Sequence, residues 1–174
     1  METSIEMTCK ALEETADHSK SLILLNSIVV SGNRTELHRN NIIPILLQLL
    51  ESSSSSSLSS WNVENSAATL NLLSQVLDDS EQLTSDIATL ACRHTVAAMK
   101  LYPENRDILA GGAAVIWVCA GQSPTECLGE GAYGALEAAS KVKKHFANLE
   151  VGSRHPFRFK LGIISAALSR LTET

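Results

Sequence analysis

Three glycines in the segment LGEGAYGALEAAS, Gly129, Gly131 and Gly134, satisfy the G-x-G-x-x-G spacing that cradles a dinucleotide pyrophosphate. That chemistry needs a strand ending at the first glycine and a helix starting at the last, so that the phosphates meet the helix N-terminus. The nearest apolar candidate, Val115 to Cys119, stops ten residues too early, and Glu150 is poorly placed as the ribose-binding acid. Glycines that let two helices approach are the simpler account. Cys92 with His94, and Cys119 with Cys127, are metal-ligand residue types, but no C-x-x-C or H-x-x-x-H pair is present. Structural zinc sites bring their ligands in such close pairs, so no metal or cofactor is assigned. A Cys/His nucleophile would need a third orienting group, and a serine nucleophile elbow would need G-x-S-x-G; the sequence offers neither. Glu13-Glu14 and Asp78-Asp79 are adjacent on the chain, so on a helix they point about 100° apart and cannot share a proton. No catalytic residue is assigned.

The elements that would carry these residues are helical. Apolar residues make up 44% of the 174 and aromatics 4%, so the core is built from Leu, Ile, Val and Ala. A β-sandwich would draw more on Val, Thr, Tyr and Phe. No segment alternates with period two over a useful length. The start, METSIEMTCKALEETADHSK, lacks a basic stretch followed by an apolar core, so a secretory signal is not expected. No apolar run approaches the ~18 residues that span a bilayer. The expected location is the cytoplasm or nucleus, with all four cysteines as reduced thiols.

Local signals divide the chain. A helix is expected over residues 1–30, closed by Gly32 and Asn33, and a second from Asn41 with Pro44 in its first turn. The low-complexity tract Ser52–Ser60 reads as a loop. Helices then follow over 62–77, from Ser85 to the Tyr102-Pro103 stop, and from Asn105 to Ala120. Gly121 and Pro124 read as a turn. The last two helices are expected over 131–146 and 157–171, with Gly152 to Pro156 as a loop between them.

Four apolar segments within this order resemble one another: LILLNSIV from Leu22, AATLNLLS from Ala67, AAVIWVCA from Ala113 and FKLGIISA from Phe159. Their starts differ by 45, 46 and 46 residues (67−22, 113−67, 159−113). A period of ~40–47 residues belongs to stacked helical repeats, in which one unit cannot bury its own apolar face. The expected fold is all-α, a single domain over 1–174 of about three to four degenerate repeats.

Two stretches carry a family resemblance. NNIIPILLQLLE, followed after the serine tract by VENSAATLNLLS, resembles the Ile-Pro-x-Leu helix and Ala-rich third helix of armadillo repeats. AAMKLYPENRDILAGGAAVIWVCA resembles a helix ending in Met-Lys, a Pro-Glu-Asn turn and a small-residue-rich third helix. HEAT repeats are the neighbouring pattern. The resemblance covers roughly Ser21 to Leu171. It implies a short right-handed α-solenoid whose third helices line a concave groove for extended peptides. In several members an Asn on the third helix clamps the ligand backbone. Here that position falls on Leu73 or Val118, so the clamp is not carried over. Asn26 and Asn71 recur at the 45-residue spacing, about two residues early, and are candidates with Trp117 for an exposed groove row, although Trp117 fits a core anchor better.

Charge supplies the other candidate surface. Residues 1–140 hold 7 Lys+Arg and 17 Asp+Glu, whereas residues 141–174 hold 7 and 2. The basic cluster includes Lys143, Lys144 and Arg158 beside Phe146, Phe157 and Phe159. It suits an acidic protein partner or a solvated helix end; an acidic chain is a poor dedicated nucleic-acid binder. The expected function is therefore a non-catalytic protein–protein interaction module, an adaptor or scaffold that binds a protein or peptide on its repeats. The alternative is a nucleotide-dependent enzyme or regulator using the Gly129-Gly131-Gly134 loop.

Overall fold

Helix starts and stops follow from side chains that satisfy the orphan backbone groups at each end. The structure, a computed structural model, describes residues 4–14, 22, 23, 25, 37, 39–54, 63–78, 83–149 and 157–173. Among these it is all-α, with eight helices and no strand. They are α1 (Ser4–Glu14), α2 (Ile42–Ser54), α3 (Val63–Asp78), α4 (Ser85–Leu101), α5 (Arg106–Gln122), α6 (Pro124–Gly129), α7 (Ala132–Leu149) and α8 (Phe157–Thr172).

The Thr84 side chain accepts from the Ile87 N–H at 3.3 Å to start α4, and the Asn105 side chain accepts from the Ile108 N–H at 2.9 Å to start α5. Asp86 and Asp107 sit in the two first turns, where a negative charge suits the helix dipole. Before α2, Asn41 takes φ +54°, a left-handed conformation that Asn tolerates better than most residues. Several boundaries differ from the sequence reading; α7, for one, runs to Leu149 and not to 146. Helix α2 continues into the serine tract as far as Ser54, and Ser is only mildly unfavourable in a helix already nucleated by IIPILLQLLE. Helix α5 runs past Gly121 to Gln122, and Pro124 then opens the six-residue α6 at its N1 position instead of forming a plain turn. Ser123 joins the two helices, buried, and its hydroxyl donates to Ser85 Oγ at 2.9 Å. The first expected helix is described only in part: α1, then Leu22, Ile23 and Leu25, of which the two leucines are buried.

The helices pack in two rows. Helix α5 lies between α3 and α8 in one row; α4 lies between α2 and α7 in the other, with α6 at the corner and α1 against α2. No charged residue occurs between Ile108 and Gly121, so α5 can be enclosed on most sides. Ile108, Ala113, Val115, Ile116 and Cys119 on it are fully buried. Its consecutive glycines set two close approaches. A Cβ on Gly111 would lie 3.1 Å from Leu70 Cβ of α3, and one on Gly112 would lie 2.7 Å from Met99 Cγ of α4. Adjacent helical positions point about 100° apart, so one dipeptide serves both neighbours.

Segments 67–74, 113–120 and 159–166, three of the four related copies, fall on α3, α5 and α8. These helices run in the same direction. The Asp107 end of α5 lies beside Glu64 of α3 and Ile163 of α8, whereas its Gln122 end lies beside Asp78 and Arg170.

Candidate functional site

Helix α5 turns one stripe away from the second row: Asp107, Ala110, Gly111, Ala114, Trp117, Val118 and Gly121, spaced three and four apart. With α3 on one side and α8 on the other, the stripe floors an open groove in two stretches. The first has a volume of about 440 Å³. Ala67, Ala68, Ala110, Gly111 and Ala114 form its floor, Ile163 one wall, and Glu64, Asp107 and Asn71 its polar rim. Side chains this short leave space where Leu or Phe would have filled it.

The second stretch, about 260 Å³, is bounded by Leu77, Leu83 and Val118 on its apolar side and by Asp78, Gln122 and Arg170 on its polar side. Here the Arg170 guanidinium stacks on the half-buried Trp117 ring, its Cζ 4.3 Å from the centroid. A cation over an indole face is attracted by the ring quadrupole.

Asn71 and Trp117, both sequence candidates, thus lie on one face, on neighbouring helices. Asn71 is exposed, and its backbone carbonyl accepts from Ser74 Oγ at 2.8 Å and from Gln75 Nε2 at 3.2 Å. Trp117 is not enclosed as a core anchor would be; one side packs on the core and the other carries Arg170. Asn26 lies outside the described residues, as do the side chains of Lys143, Lys144 and Arg158 within α7 and α8. Sequence reasoning missed Arg170. No local signal pointed to it: Gly121, one turn beyond Trp117, makes room for the guanidinium, but a glycine in sequence does not name its neighbour.

The glycine fingerprint takes a different form. Helix α6, not a strand, ends at Gly129, so the strand–turn–helix geometry of a dinucleotide site is not formed there. Gly131 has φ +84° and makes the turn into α7. Close helix packing does not explain the other two. A Cβ on Gly129 or Gly134 would meet nothing within 4 Å.

The cysteines are core residues. Cys9, Cys92, Cys119 and Cys127 are all free and buried, and Cys92 Sγ lies 3.8 Å from the Cys127 carbonyl oxygen, to which it donates. The neighbouring Cys127 thiol and burial push the Cys92 thiol up; burial does the same to Cys119. Thiols held protonated are poor nucleophiles. Among the described residues, no group of three or more His, Cys, Asp or Glu is placed to hold a metal ion. None of the described helices is long and apolar enough to cross a membrane.

One surface cluster ties elements together. Arg93 of α4 makes a bidentate pair with Glu130 in the α6–α7 turn, at 3.0 Å and 2.7 Å. The Arg93 guanidinium holds the Glu130 carboxyl below its usual range, while burial holds the nearby His94 imidazole below its own. No protein-family model matches the chain, and no curated protein or solved structure does either.

Proposed function

We propose that the chain is a non-catalytic interaction module, a short right-handed solenoid of the armadillo/HEAT kind that binds a protein or peptide along the α3–α5–α8 face. One observation carries the reading: the face repeated in the sequence is floored by alanine and glycine, so it is left as an open groove. A helix row that only had to be stable would gain by filling that space with larger side chains. The 46-residue spacing of three helices that run in one direction supports the repeat architecture. Four reduced thiols fit a cytoplasmic or nuclear setting. The basic C-terminal stretch containing Lys143, Lys144 and Arg158 suits the steering of an acidic partner.

Filling the groove tests this reading. Ala68 is half-buried on its floor, so Ala68→Trp should occlude it while leaving the helical far-UV circular dichroism unchanged. Partners captured by the wild type and identified by mass spectrometry should be lost from the variant. Full retention of every partner by the folded variant would place the binding surface elsewhere.

A further inference from the structure

The two ends of the groove differ in charge: one is rimmed by carboxylates alone, and the other holds a guanidinium beside Asp78. Glu64 and Asp107 rim one end, and Arg170 lies at the other. Arg170 is held in an unusual way for an arginine at a helix–helix junction. Its guanidinium carbon lies over the Trp117 ring, and the group sits against the α5 backbone at Gly121, where a Cβ would overlap Nη2 and come within 2.7 Å of Cζ. Among the described residues it is fixed by this stacking and not by a hydrogen bond or ion pair. Asp78 lines the same stretch without closing an ion pair on it. Neither the Trp117 nor the Gly121 contact uses the N–H donors of the planar fork, whose geometry matches a carboxylate bidentately. Leu77, Leu83 and Val118 supply an apolar wall beside the fork.

We infer that Arg170, held by Trp117 and Gly121, is the anchor for a carboxylate of an extended peptide whose basic end lies at Glu64 and Asp107. The inference rests on the interaction-module reading and deepens it by naming the partner's chemistry and direction. Asp107 and Gly121 are 14 positions apart (121−107), about 21 Å along a helix. That distance is spanned by about six to seven extended residues. A segment carrying Lys or Arg at one end and a carboxylate six or seven residues later satisfies both ends. The reverse orientation sets a carboxylate against Glu64 and Asp107 and leaves Arg170 without one, which is a source of specificity.

The test uses the full chain and three synthetic heptapeptide pools, each with an N-terminal lysine and five randomised central positions. The first pool is a free acid with leucine last, the second is the same sequence set as the amide, and the third is an amide ending in glutamate. Retention on immobilised protein is read by mass spectrometry. The free acid, the glutamate amide or both should be enriched about tenfold or more over the leucine amide, and which of the two is enriched separates a terminal from a side-chain carboxylate. Arg170→Gln should erase the enrichment. Gly121→Ala, which displaces the guanidinium yet favours helix, should erase it with Arg170 still present. Should the amide pool be retained as well as the acids, or should Arg170→Gln keep the preference, the anchor is wrong while the groove still binds peptides. Retention of no pool also overturns the anchor; the Ala68→Trp capture experiment then decides the wider reading independently.

Discussion

Thr95 lies fully buried in α4 with a hydroxyl that finds no hydrogen-bond partner. A buried, unsatisfied polar group costs about 1–3 kcal/mol, so Thr95→Val, which keeps the shape, should raise stability by about 1 kcal/mol in denaturant melts. An unchanged or lower midpoint would mean that the hydroxyl is satisfied. Gly112, next to it, and Gly134 of α7 should respond to alanine with opposite signs. The Gly112 methyl would press on Met99 and lie 3.3 Å from Thr95 Cγ2. Overpacking of about 1–3 kcal/mol then outweighs a helix-propensity gain of about 1 kcal/mol. The Gly134 methyl meets open space within α7, leaving only that gain of about 1 kcal/mol. A pair of chemical melts with equal m-values decides both, and a shared sign would overturn the packing argument.

At the scale of elements, the Arg93–Glu130 pair ties α4 to the α6–α7 turn, and its strength depends on pH in a definite direction. Glu130 titrates lower in the folded state than in the unfolded chain, because Arg93 holds its charged form. Its contribution is present above the unfolded carboxylate pKa and is lost as pH falls through the folded value. His94 acts higher on the scale and in the same sense. Burial favours its neutral form, against Glu51 and Glu130, which favour the charged one, and with Arg93. Below about 6.5 the unfolded chain takes up a proton that the folded chain resists, so stability falls there too. Melting midpoints should decline from near-neutral pH downward, His94→Asn flattening the upper part of the decline and Glu130→Gln the lower. Profiles that coincide with wild type would show that neither group differs between folded and unfolded states.

Element boundaries were readable where one side chain decides them. Ser85, Pro103 and Asn105 mark the two ends of α4 and the start of α5 locally, and the structure places those limits there. The six residues of α6 were not readable, since a helix of that length shows less than two turns of periodicity. Nor was the close packing assigned to Gly129 and Gly134, because a glycine in sequence does not say what lies opposite it. For the same reason Arg170 gave no sign of its place. It meets Trp117 from a helix that follows two others in the chain, a pairing that no local pattern encodes.

For the whole molecule, α5 is the helix that joins the two rows, touching α3 and α8 beside it and α4 behind it. Truncating its centre should therefore be felt on every side. Ile116→Ala removes a fully buried side chain and should cost about 2–5 kcal/mol. Hydrogen exchange should then accelerate together in α3, α4 and α8; acceleration confined to one neighbour would show that the helices unfold in separate units, as long repeat arrays can.

The chain contains two tryptophans, Trp61 and Trp117, and this makes the stack on Trp117 an optical gauge. With Trp61→Phe the remaining emission arises from an indole whose one face is covered by a guanidinium from the last helix. Detachment of α8 uncovers that face to water and shifts the emission to longer wavelength, whereas a ligand at Arg170 changes the emission while the helix stays in place. The contact that orders this end of the groove thus also reports, without any added label, whether the groove is assembled and whether it is filled.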